Sequence, residues 1–163
     1  MASILPVTLV LSVLEGGSSG SIFRFFVVLQ QEKPMSATVA AGAFPYAVHL
    51  DIKFDALDLI DVPSLVKACT DQWYNQTLCR VNDSVVRLGV MQGEYHWYKH
   101  DNDDEFFFVL SGTFIIDLEG RSVALSPQQG FVVPKGVMHR TRAPEKAVVL
   151  MVETATIVPT GDA

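Results

Sequence analysis

Between residues 84 and 153 the apolar positions fall into short blocks separated by residues that turn the chain. The blocks are SVVRLGVM (84–91), EYHWYKH (94–100), EFFFVLS (105–111), TFIIDLE (113–119), RSVALS (121–126), GFVVP (130–134), VMHRTR (137–142) and KAVVLMVE (146–153). They are rich in β-branched and aromatic residues, and Gly, Pro, Asn and Asp supply the breaks. Short strands at near-regular intervals, with no helix between them, predict an all-β sandwich or closed barrel with largely antiparallel pairing. Recurrence about Gly112, Gly120, Gly130 and Gly136 favours a jelly-roll barrel, which limits exposed strand edges.

Upstream the pattern changes. Asp61 to Trp73 predicts a short helix before the barrel, with Pro63 in its first turn and Leu65, Ala68, Cys69 and Trp73 on one stripe. In residues 1–50 only Glu15, Arg24, Glu32 and Lys33 carry charge, and small residues dominate from Ser36 to Ala43. That stretch reads as an N-terminal extension to a single domain spanning 51–163. It is expected to form edge strands, or a hairpin between 4–14 and 22–29, or to stay partly disordered. The run ILPVTLVLSVL (4–14) has signal-peptide core length, but no basic segment precedes it and GGSSGS follows. It is also shorter than the ~20 residues that cross a bilayer, so a cytoplasmic protein with no membrane partner is expected. Met35 offers a second start site, which would make residues 1–34 translated upstream sequence.

Composition narrows the function classes. The chain has 163 residues, enough for one well-packed core without staples. A net charge of −6 and scattered basic residues argue against a nucleic-acid partner, which needs clustered Lys and Arg. The two cysteines, Cys69 and Cys79, form no CxxC or Cys/His grouping and read as reduced thiols.

Chemistry concentrates in 94–112 and 127–142. On an extended strand His96, Tyr98 and His100 share one face, opposite Trp97 and Lys99. The acids at Asp101, Asp103 and Asp104 read as a solvated turn, whereas Glu105 opens the next strand and can return its carboxylate to the same interior. His139 follows a tight turn marked by Pro134 and Gly136. Any one strand histidine is more often a hydrogen-bonded structural residue. Two imidazoles and a carboxylate together, however, make the ligand set of a facial metal site, favouring iron with Mn, Ni or Zn as alternatives.

Both segments resemble the signature motifs of the cupin superfamily. The first aligns as Tyr98-Lys99-His100, four residues, Glu105, six residues, Gly112. The second aligns as Pro134-Lys135-Gly136-Val137-Met138-His139. Similarity to small single-domain cupins extends from about residue 58 to Asp162. It implies a double-stranded β-helix barrel, usually a homodimer, with one divalent metal held by His100, Glu105 and His139. Tyr98 stands where the family's fourth ligand is a histidine, Gln128 where glycine is common, and Ala143 where some members have Asn.

The Tyr98 departure leaves four arrangements open: a three-ligand centre with His96 or Tyr98 nearby, ligation by His96, ligation by a Tyr98 phenolate, or a weakened or lost metal site. The expected function is a mononuclear-metal cupin acting on a small polar molecule, with Tyr98 and His96 as candidate catalytic residues. Dioxygenase, isomerase and lyase chemistry are not distinguished. The competing expectation is a non-catalytic cupin that binds a small ligand or metal in a degenerate site.

Overall fold

A computed structural model describes residues 46–162 and, for the backbone alone, Val7–Leu9 and Leu29–Gln31. The chain divides into two compact units, residues 1–35 and 36–163. In the first, β1 (Val7–Leu9) pairs antiparallel with β2 (Leu29–Gln31), Thr8 facing Gln30. The remainder of the expected hairpin, and the small-residue stretch 36–43, lie outside the described residues.

The second unit holds β3 (Ala47–His49), α1 (Val62–Ala68), β4 (Trp73–Val81), β5 (Ser84–Glu94), β6 (Glu105–Ser111), β7 (Phe114–Leu118), β8 (Arg121–Leu125), β9 (Gly130–Val133) and β10 (His139–Thr154). One sheet runs β3-β4-β5-β10-β6-β9, and β7 joins β10 and carries β8. All pairings are antiparallel except the parallel β3–β4 contact. Among the described residues the strand path does not close, and its order is that of the expected jelly roll.

β10 makes both layers. Its register with β5 shifts between Ala143 and Ala147, where the notional strands 137–142 and 146–153 join into one bent strand. His139–Arg142 pair with β7, while Val148–Val152 pair with both β5 and β6. The inner faces of both layers meet in a core of Trp73, Met91, Tyr95, Tyr98, Phe107, Phe114, Ile116, Val149 and Met151. The Phe106–Val109 block alternates as a strand should: Phe107 and Val109 are buried, Phe106 and Phe108 half-exposed.

Two expected elements differ. The helix ends at Ala68 instead of continuing to Trp73, because Cys69 is already extended (φ −75°, ψ 122°). Asp61 caps its start, accepting from Ser64 N (3.3 Å) and Ser64 Oγ (2.6 Å). Val62, Leu65, Val66 and Cys69 pack on the outer face of the sheet around Leu78, Leu88 and Val148. Trp73 opens β4, where its ring stacks on Tyr95 at 5.3 Å and 16°. The second difference is the segment 95–100, which is not a regular strand; it meets β10 through the Tyr98–His139 bridge and a bond from Tyr95 N to Thr141 O (2.8 Å).

On the outer face, Asp117 of β7 gathers Arg140 Nε (2.9 Å), Arg142 Nε (2.9 Å) and Ser122 Oγ (2.5 Å). Arg140 and Arg142 thus face away from His139, as strand alternation requires. The Arg142 hydrogen bond, with help from Ser122 and Arg140 and against partial desolvation, holds the Asp117 carboxyl at about 2, below its ordinary 3.8. A depressed folded pKa contributes stability that is present above pH 3.8 and lost as pH falls through 2. The shift corresponds to about 2 kcal/mol, reduced by solvent screening of the half-exposed arginines to about 1 kcal/mol. Asp117→Asn is therefore expected to lower urea stability by about 1 kcal/mol at pH 7 and to lose that deficit by about pH 2; an equal deficit at both pH values would show that the ion cluster is not its source.

Candidate metal and ligand site

Glu105, the first residue of β6, is the hub of the interior site. Its Oε2 accepts the Tyr98 phenol proton at 3.0 Å, lies 3.3 Å from His139 Nε2 and 3.5 Å from His100 Nε2. All four side chains are buried. The structure thus brings together His100, Glu105, His139 and Tyr98 from two segments more than thirty residues apart.

Backbone hydrogen bonds enforce the meeting. Tyr98 and His139 exchange both of theirs, N–H to O at 2.8 and 2.9 Å. Val137 N donates to Pro134 O (3.2 Å), closing a turn in which Gly136 takes φ +75°, a value that only glycine adopts without strain. That turn holds the first segment directly: Gly136 N donates to His100 O (2.6 Å), and Lys135 N donates to Asp104 Oδ1 (2.9 Å). The glycine and proline between the two histidines are therefore the parts that set His100 beside His139.

The ring nitrogens carry the chemical information. His139 Nδ1 lies 3.0 Å from Val137 O, and a carbonyl only accepts, so Nδ1 holds the proton. His139 Nε2 is left facing the Glu105 carboxylate. Two acceptors at 3.3 Å require a proton or a metal ion between them. His100 is starker: both its ring nitrogens are buried without a hydrogen bond among the described residues. Burial pushes the Glu105 carboxyl up, but His100 and His139 outweigh it and hold it below the usual range. Burial depresses His100, and Glu105 more than restores it.

These donors fit a divalent transition metal in kind: two imidazoles without committed partners at Nε2, and one carboxylate. As they stand, no three His, Cys, Asp or Glu side chains among the described residues are arranged to hold an ion. Ion binding must therefore draw His100 and His139 in around Glu105. Burial, then the charge of Glu105, keeps the Tyr98 phenol well above its ordinary pKa, so Tyr98 faces Glu105 as a hydrogen-bond donor.

His96 stands apart from this group. Because 95–100 is irregular, the expected alternation fails, and Tyr95 turns inward with Tyr98 and His100 while His96 is half-buried. His96 Nε2 lies 2.9 Å from Thr160 O, and Tyr95 Oη donates to Pro159 O (3.2 Å). Residues 157–162 thus form a strap over the segment that bears Tyr98 and His100. Asp162 N bonds Lys99 O (3.0 Å), Asp101 N bonds Asp162 Oδ2 (2.7 Å), and Gly161 packs so closely that a Cβ would lie 2.6 Å from Tyr98 Cβ.

Beside Tyr98 lies a pocket lined by Asn75, Trp73, Met91, Tyr95, Glu105, Phe107, Thr141, Met151 and Pro159. Its free space is about 10 Å³, room for one water or one ion. Behind Glu105 the interior holds a second polar group. Arg87 Nε donates to Glu153 Oε2 (3.2 Å) and Arg87 Nη1 to Thr77 Oγ1 (2.7 Å), all buried. The ladder that pairs Val152 with Phe106 brings Glu153 alongside Glu105. Burial and then that neighbouring charge raise the Glu153 carboxyl to about 8 against the opposing pull of Arg87 and His100. Sequence reading passed over Asn75, Arg87 and Glu153. The signal was a charged residue inside SVVRLGVM and another closing KAVVLMVE, each at inward parity with its apolar neighbours.

A family model described as the cupin domain matches residues 85–153, which contain both motifs. The uncharacterised protein YdbB of Bacillus subtilis is 42% identical over 80 residues, covering 48% of this chain and 71% of that protein. The chain belongs to the cupin superfamily. A cupin-2 domain protein from Shewanella frigidimarina superposes with TM-score 0.57 at 27% identity, covering 59% of this chain and 94% of that one. Protein NMB1881 from Neisseria meningitidis superposes with TM-score 0.54 at 24% identity, covering 60% and 99%. The second likeness is one of fold. Among the described residues no helix is long and apolar enough to cross a membrane.

Within this cupin, Tyr98→Phe keeps the ring's packing and removes one donor to Glu105. Urea denaturation should show a loss of about 1–3 kcal/mol, the cost of leaving a buried acceptor short of a partner. An unchanged midpoint would mean that Glu105 does not depend on the phenol.

Proposed function

We propose that this cupin holds one divalent transition metal with His100, Glu105 and His139 and acts on a small polar molecule admitted beside Tyr98. The observation that supports it is a convergence of ring nitrogens: His139 Nε2 and His100 Nε2 both address Glu105 Oε2, and His100 has no hydrogen-bond partner among the described residues. Iron leads the candidates by donor set, with Mn, Ni and Zn next. When bound, the ion would supply Lewis acidity toward a carbonyl or carboxylate oxygen, or redox reactivity toward O2.

The chain's own residues do the rest. Glu105 keeps its negative charge in the low-dielectric interior because His100 and His139 face it. Tyr98, protonated, presents a donor whose proton passes to Glu105 or to a bound molecule within reach. His96, fixed by Thr160, backs the Tyr98 ring at 5.7 Å and holds its position rather than entering the pocket. Thr141 and Phe107 exclude bulk water from the same space.

A second reading, a binding module without turnover, is favoured by one observation. Tyr98 already satisfies part of Glu105 from the position where the family places a ligating histidine. Metal analysis by mass spectrometry on tag-free protein separates the two. The metal reading expects near one equivalent after reconstitution with Fe, Mn, Ni or Zn, its loss in His139→Ala, and about tenfold tighter binding in Tyr98→His, one added ligand being worth that order. Under a tenth of an equivalent of every metal would exclude the metal reading.

We also propose a homodimer in the cytoplasm. Phe106, Phe108 and Leu110 of β6, Val132 of β9 and Val152 of β10 share the outward face of adjacent strands, and Val132 is 48% exposed. Light scattering should give about twice the 17.9 kDa chain mass and, for Val132→Lys/Val152→Lys, the chain mass itself. A wild-type monomer would refute the dimer.

A further inference from the structure

The β4–β5 register places Asn75 directly opposite Gly89. Where a side chain would normally face it there is none, and the gap is filled by the thioether ends of Met91 and Met151, which a Cβ at Gly89 would meet. Asn75 is 93% buried, being 7% exposed, and its Oδ1 is buried with no hydrogen-bond partner among the described residues. An unpaired buried amide oxygen is costly, and native folds retain few of them. Asn75, Met91 and Met151 all line the pocket that Tyr98 and Glu105 border.

The geometry points to Asn75 as the residue that selects the pocket's small molecule, its free carboxamide oxygen accepting from a hydroxyl or amide N–H on that molecule. Space comes from Met91 and Met151. Methionine has three freely turning bonds and repacks readily, so swinging the two thioethers off Gly89 enlarges a cavity that otherwise has room for one water or one ion. The ligand class follows from the walls. It is small, carries a donor for Asn75, has an apolar body against Trp73 and the methionines, and bears an oxygen-ligand group toward Glu105 and the histidines. An apolar isostere lacking the donor leaves Oδ1 unpaired and is rejected for that reason. The requirement for an oxygen-ligand group rests on the metal reading; the donor preference does not.

The test uses the full chain, reconstituted with metal, and a panel of two- to five-carbon hydroxy acids, each paired with its O-methyl ether. Affinities are read by ligand-observed NMR, with metal content measured on the same samples. Wild type should bind at least one hydroxy acid about tenfold tighter than its ether, the scale of one buried hydrogen bond. Asn75→Leu, close in volume, should erase that ratio while leaving ether affinity and metal content unchanged. Asn75→Gln, which keeps an acceptor on a longer stem, should retain part of the preference. A ratio that survives in Asn75→Leu, equal binding of acid and ether, or binding of no pair overturns the assignment. If Asn75→Leu fails to fold, Gly89→Ala serves: it fills the gap from the opposite strand and must weaken both members of a pair, and unchanged affinities overturn the proposal. Donor preference lost in Asn75→Leu on protein that takes up no metal would sink the metal reading and leave this one standing. Full metal occupancy with an unaltered ratio would do the reverse.

Discussion

Burying the carboxylate of Glu105 is the constraint from which the rest of the site follows. A charge taken out of water must be compensated by donors or cations, and the fold supplies Tyr98 and His100 from one segment and His139 from another. Each supplier then needs its own support. Tyr98 hangs on the two-way backbone bridge to His139, His100 is held by Gly136 N, and His139 is oriented by the Val137 carbonyl. The turn at Pro134–Val137 is common to two of these supports, which is why a short Pro-x-Gly sequence recurs next to a distant histidine.

Sequence made much of this legible, and for a physical reason. Strands β5 to β10 announced themselves because apolar blocks broken by Gly, Pro, Asn and Asp admit few other readings, and His100, Glu105 and His139 were grouped by their resemblance to the two cupin motifs, which spacing alone supported only modestly. The errors lie where tertiary contacts override local pattern. Trp73 continued a helical stripe on paper, but its ring gains more by stacking on Tyr95 in the core. His96 kept strand parity with Tyr98 and His100 on paper, yet the 95–100 segment meets β10 only locally, at Tyr95 and Tyr98, and is also tied to the strap, so it forms no regular strand and parity has no force there. Asn75, Arg87 and Glu153 were hidden because only the register of β4, β5 and β10 shows which polar residues of a strand point inward.

The interior is therefore more polar than its sequence average implies. Arg87 and Glu153 form a buried pair behind Glu105, and Glu153 is held partly neutral by burial and by that neighbour. Two carboxylates side by side on one ladder oppose each other's ionisation. A charge change at Glu105, by whatever means, is thus felt by Glu153 across the same sheet.

The strap over residues 95–101 divides the mutational freedom of the chain unevenly. Its bonds to Tyr95 and His96 end on the main-chain carbonyls of Pro159 and Thr160, groups that every amino acid carries. Side chains at Pro159 and Thr160 can change without removing those two acceptors. Gly161 cannot, since φ +88° and the Tyr98 ring beneath it admit no Cβ. Sensitivity across 157–162 is thus set by three kinds of constraint: the buried Ile157 side chain, the Asp162 carboxylate that holds Asp101 N, and a glycine whose missing side chain is a footprint of the site's tyrosine.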